Sequence, residues 1–248
     1  MTNRGKAIWR VAIIVTCVLL SVALGFRFGA HFFVWLRIDR SLKAVPRVDV
    51  ESLANSGQDD VQFRAHTMDN CVVYVPVDAE EVKSEEDDDE DCLVEYDKDE
   101  DETDLRYKVL APVRFSIPSL KATLIIVVNE LVGGDVVGPS LGATAQCLAT
   151  SSADFRWSDT PSQVMEFAAR YMMRESKDVM QYYFERANGA EVLIKMDSPG
   201  QFTMTVDRPP RYVYDIAMAL EEESEDDVYK CFGFLRRMAS FYVNPAAQ

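Results

Sequence analysis

Val11–Phe26 reads VAIIVTCVLLSVALGF, sixteen residues without a charge, and Arg4, Lys6 and Arg10 stand just before it. A helix rises about 1.5 Å per residue, so the run covers roughly 24 Å of a hydrocarbon core about 30 Å thick. Extending it back to Ala7, past an Arg10 whose guanidinium reaches out to water, gives a full span. No later window approaches eighteen apolar residues. The pattern therefore predicts a single membrane helix, with the remainder of the chain carried from it.

Working outward, Phe26, Phe28, Phe32, Phe33 and Trp35 follow the run, with Arg27, Arg37, Arg40 and Lys43 among and after the rings. Aromatic and basic residues at that place form an interfacial belt, so residues 7–36 are expected to meet membrane lipid. Ala23-Leu24-Gly25 also has the small residues of a signal-peptidase site. A domain secreted by cleavage after Gly25 is thus an alternative, although the apolar run is longer than an ordinary signal core. The expected layout is tail, anchor and juxtamembrane segment over 1–45, a linker over 46–60, and one domain over 61–248.

Charge is unevenly placed. The whole chain carries −15, yet residues 1–47 hold eight Lys/Arg against the single acid Asp39. Between Glu80 and Asp104 there are 16 acids and two lysines. Like charges at that density repel and cannot bury a face, so an acidic disordered loop is expected at about 80–104. With no cluster of Lys/Arg in the domain, a nucleic-acid partner is excluded.

The domain alternates between strand-like and helix-like stretches. Val61–His66, Cys71–Val77, Tyr107–Ile117 and Lys121–Glu130 are rich in β-branched and aromatic residues and read as strands. LIIVV within the last is an unbroken apolar run, as in a strand covered on both faces. Pro161–Ala187 reads as a helix: Thr160 and Gln163 form a capping box, Pro161 takes the first helical position, and Asn188-Gly189 would stop it. Glu191–Met196, Phe202–Val206 and Tyr212–Leu220 read as strands, the first two joined by Asp197-Ser198-Pro199-Gly200. Val228, Cys231, Leu235, Met238 and Tyr242 then repeat at helical spacing. Strands grouped in runs predict an α+β domain with a mainly antiparallel sheet and two packed helices.

Candidate chemistry is thin. Gly138-Pro139-Ser140-Leu141-Gly142 matches G-x-S-x-G, in which a nucleophilic serine sits on a tight turn before a helix. A serine nucleophile needs a base, and His66, the domain's one histidine, precedes it where that fold order would place the histidine after. Asp97, Asp99 and Asp101 occupy the first alternating positions of a calcium loop, but Glu102 stands where glycine is needed and Lys108 where glutamate is needed. At most they make a weak divalent site. Cys71, Cys92, Cys147 and Cys231 match no zinc spacing and would make either two disulfides or buried thiols. His31 and His66 read as surface or packing residues, and Met172, Met173, Met180, Tyr182 and Tyr183 as core. No cofactor fingerprint is present.

These features together predict a single-pass signal-anchor protein with a non-catalytic binding or accessory domain and a protein partner. A membrane-tethered serine hydrolase using Ser140 is the alternative. Arg4, Lys6 and Arg10 before the span predict the tail inside and the domain outside the cytoplasm, although Arg27, Arg37, Arg40, Lys43 and Arg47 after it pull the other way.

Overall fold

A computed structural model of the chain describes residues 3–49, 61–68, 71–82, 107–110, 112–131, 140–174, 179–208, 212–221 and 225–243. Most of the acidic run, including Asp97, Asp99 and Asp101, lies outside the described residues. Contacts gather into two compact units: Met1–Ala44 with Gln146–Glu175, and Val45–Ala145 with Ser176–Gln248. The chain is α+β with a mainly antiparallel sheet.

In the larger unit, strands β1 (Phe63–Met68) and β2 (Cys71–Pro76) form a hairpin. Strands β3 (Glu80–Glu81), β4 (Tyr107–Val109), β5 (Val113–Ile117), β6 (Ala122–Leu131), β7 (Gln181–Ala187), β8 (Ala190–Ser198), β9 (Gln201–Arg208) and β10 (Tyr212–Leu220) make the main sheet. Its order is β3-β5-β6-β10-β9-β8-β7, and β4 lies further along the β5 edge of β6. All the pairings among these strands are antiparallel. The expected strand Tyr107–Ile117 is thus two pieces, and Leu110 carries the ladder on from β4 by donating its N–H to the Val128 carbonyl at 2.9 Å.

Period-2 patterning places the core. Phe115 pairs with Leu124, Leu124 with Met218, Met218 with Phe202, and Phe202 with Met196, so one apolar row crosses five strands. A parallel row runs from Ile126 through Ile216, Met204 and Ile194 to Tyr183. Over this face lies helix α4 (Glu225–Val243), whose Cys231, Phe232, Leu235, Met238 and Tyr242 are buried. Hairpin β1–β2 lies beside it: Phe63 stacks on Phe234, Tyr74 on Phe241, and His66 meets Phe115 edge-on. The last helix therefore buries its stripe as expected, and Phe234 is enclosed as well because the hairpin supplies a second wall.

Two expectations are corrected. The helix at Pro161 (α3, Pro161–Met172) ends at Met172, and its expected second half is the edge strand β7. Tyr182, Tyr183 and Phe184 are strand formers that gain more by extending the sheet than by continuing a helix. Asn188 and Gly189 are not a helix stop. With φ of 51° and 79° they form the two-residue turn of the β7–β8 hairpin, closed by Ala187 against Ala190. The LIIVV strand is central but not dry on both sides: Leu124, Ile126 and Val128 are fully buried, while Ile125 and Val127 are half-buried. A short helix α2 (Leu141–Ala149) follows Ser140. Cys71, Cys147 and Cys231 are buried, and Cys92 is outside the described residues.

In the smaller unit, helix α1 (Asn3–Arg37) runs through the whole apolar stretch. It packs Val34 against Val164, Phe167 and Ala168 of α3.

Candidate functional site

Three places carry polar or exposed groups that the core does not need. On the sheet face opposite α4, Thr123, Thr203, Thr205 and Asp215 and the exposed Ala217 and Ala219 stand among the larger apolar Ile125, Val127, Val213 and Leu193. Register brings Thr205 and Asp215 together with Asn129 of the same face. Thr205 donates from Oγ1 to Asp215 at 2.8 Å, and Asn129 donates from Nδ2 to the other oxygen of that carboxylate at 2.9 Å. The network spans β6, β10 and β9, with Asp215 on the middle strand.

Further along this face, Asp207 pairs with Glu191 and Glu191 with Arg186. Glu191 is buried, ion-paired to Arg186, and accepts the Gly142 N–H at 2.8 Å. A carboxylate there neutralises the positive end of α2 and satisfies one of its open donors. Burial, and then the charge of Glu191, push the Asp207 carboxyl upward. This is a clamp between a hairpin and a helix start. Its one strong acceptor is already committed to an arginine and a backbone N–H.

Ser140 is the N-cap of the same helix. Its Oγ accepts the Ala143 N–H at 3.2 Å, and its carbonyl accepts the Thr144 N–H at 3.1 Å. The G-x-S-x-G match does precede a helix, as that motif requires, but residues 132–139 lie outside the described residues. His66 has other engagements: it sits on β1, 3.9 Å from Glu81 and against the Phe115 ring. No hydrogen bond joins it to Ser140 among the described residues. Tyr182 and Tyr183 are buried as expected of core residues, whereas Met172, Met173 and Met180 are exposed. Among the described residues no group of three His, Cys, Asp or Glu side chains could hold a metal ion.

The smaller unit holds what the sequence reading did not find. His31 is fully buried, stacked on Trp157 with 13° between the rings and edge-on to Phe155. Its Nε2 donates to the Asp159 carbonyl at 2.9 Å, and Arg27 donates to the same oxygen at 2.7 Å. The Asp39 N–H donates to the Tyr171 hydroxyl at 2.6 Å. The loop Phe155–Asp159 and helix α3 are therefore bound to α1 between Arg27 and Asp39. Aromatic density in Phe155-Arg156-Trp157 was the available signal. Its partners lie some 130 positions away, beyond the reach of any periodicity.

Among the described residues no single helix is long and apolar enough to cross a membrane. The pair Ile13–Gly25 and Arg27–Arg37, bent by 42°, passes that test together by length and composition. Comparison of the chain with family models, curated proteins and solved structures finds no match in any of the three.

Proposed function

We propose that the chain is a single-pass, membrane-anchored protein of the signal-anchor type, whose α+β domain stands outside the cytoplasm as a non-catalytic binding or accessory module. The observation that carries the anchor is exposure. Between Ile13 and Leu24, eight Ile, Val and Leu side chains are each 46–64% exposed, at positions that fall on every side of the helix. An amphipathic helix of a water-soluble unit buries one stripe, and a helix apolar all round needs lipid. Burying an aliphatic side chain is worth about 1.5–3 kcal/mol, so eight of them outweigh any cost of leaving water.

The binding reading rests on the sheet face around Asp215, where the exposed Ala217 and Ala219 follow a fixed carboxylate along β10 and leave room for a protein partner. It is favoured over hydrolysis because the Ser140 oxygen is occupied by its own helix and His66 by Glu81 and Phe115.

Fractionation of cells making the full chain tests the anchor. Retention in the membrane after alkaline carbonate, at the mass of the uncleaved chain, is expected. Release to the soluble fraction, or a mass beginning at Phe26, rules the anchor out. Protease added to intact cells, or to spheroplasts where there is an outer membrane, should digest the domain. Protection until lysis would place it in the cytosol.

A further inference from the structure

The Arg27–Arg37 half of α1 has two opposed stripes. Ala30, His31 and Val34 face α3 and the Phe155–Asp159 loop, whereas Phe28, Phe32, Phe33 and Leu36 point away and are exposed, Phe32 and Phe33 by 55% and 54%. Trp157, 47% exposed, stands beside this half of the helix, 5.8 Å from His31 and 6.3 Å from Trp35 between ring centres. We infer that this half of α1 and the Phe155–Asp159 loop together form a platform in the phospholipid headgroup layer, with Trp157 as a second membrane contact contributed from far along the chain. The inference rests on the anchor reading above.

Depth supports it. From Gly25, His31 and Trp35 are about 9 and 15 Å along the helix, or about 7 and 11 Å along the membrane normal once the bend is counted. The polar layer on each side of the hydrocarbon core is about 5–8 Å thick, so a ring beside His31 falls within it and the turn of Trp35 emerges from its outer edge. The chemistry agrees. Indole has an apolar body and a polar N–H and favours that layer. Arg37 and Arg40 are exposed, lying over the Phe33 and Trp35 rings at 4.3 and 4.6 Å, and their long side chains can reach back from just outside the layer toward lipid phosphates. Between residues 13 and 44 the only acid is Asp39, against Arg27, Arg37, Arg40 and Lys43, in a chain of net charge −15. A lipid surface fits that local excess of positive charge better than a second copy of this acidic chain.

The test uses the full chain in vesicles of phosphatidylcholine and phosphatidylglycerol carrying bromines at defined acyl positions, which quench nearby tryptophans. Trp9, Trp35 and Trp157 are the three tryptophans. One variant keeps only Trp157 (Trp9→Phe, Trp35→Phe) and another keeps only Trp9. Loss of Trp157 emission, greater with bromines near the headgroup than near the chain ends, is expected. Quenching of Trp9 with unchanged Trp157 emission would overturn the platform and leave the anchor standing, whether Trp157 is then open to aqueous acrylamide or shielded by another protein. If neither residue is quenched and the chain does not float with the vesicles, anchor and platform fall together. Should the double variant fail to fold, the difference between wild type and Trp157→Phe reads the same quantity.

Discussion

The Tyr242 hydroxyl, on the last turn of α4, accepts the backbone N–H of Tyr74 at 3.0 Å. This bond ties hairpin β1–β2 to the C-terminal helix across 168 residues of sequence. Tyr242 is buried against both Tyr214 and Tyr74, with ring centres 4.4 and 5.6 Å away. Tyr242→Phe keeps those ring contacts and removes only the acceptor. An unsatisfied, part-buried N–H costs about 1–2 kcal/mol, so thermal denaturation should show a melting temperature lower by about 2–8 °C. An unchanged midpoint would mean that water replaces the hydroxyl.

The alternating strand Tyr212–Leu220, the C-terminal helix and the Thr160–Gln163 capping box were legible because each is written in a single local period or spacing. The stretch after Met172 was not. Val179, Tyr182 and Tyr183 satisfy helical spacing as well as they satisfy a strand, and only Asn188-Gly189, the strongest short hairpin signal, separated the two. The candidate sites divide the same way. That Ser140 precedes a helix follows from its glycine-flanked turn. That Glu191 closes the same helix depends on a contact 49 residues away, set by sheet register, which no local pattern encodes.

Buried tyrosines make the domain sensitive to alkali. Burial, then the hydrogen bond to Glu185 and its charge, push Tyr183 up to about 12; burial does the same for Tyr214, and Tyr242 is raised as well. The folded state therefore keeps these phenols protonated where the unfolded chain, titrating near 10, begins to lose its protons. Their contribution is fully present below pH 10 and is lost as pH rises toward 12. Melting temperatures measured across that window should fall steeply. Tyr214→Phe combined with Tyr242→Phe should flatten the slope, and an equally steep fall in that variant would point to other groups.

Ser140→Ala separates a capping serine from a nucleophile. Loss of an N-cap side chain costs about 1 kcal/mol, which corresponds to a melting temperature about 2–4 °C lower. Labelling by a fluorophosphonate probe should be the same in wild type and variant. Labelling of the wild type that disappears in Ser140→Ala would establish the hydrolase reading instead.

Two glycines beside the same hairpin should respond oppositely to alanine. Gly189 has open space around a new Cβ, but its φ of +79° is one that L-residues rarely adopt. Gly189→Ala is therefore strained by backbone conformation alone, at about 1–2 kcal/mol. Gly142 has the reverse problem. It lies in the first turn of α2, and a Cβ there would stand 3.2 Å from Arg186 Nη2 and 3.4 Å from Glu191 Oε1. The Arg186 side chain is mostly exposed and can shift by the few tenths of an ångström required. Alanine also favours helix over glycine by up to about 1 kcal/mol, so Gly142→Ala should melt at or slightly above wild type. Gly189→Ala should melt clearly below it. If Gly142→Ala proves the more damaging of the two, the Arg186–Glu191 clamp on the start of α2 is rigid and contributes more to the fold than the turn that closes β7 onto β8.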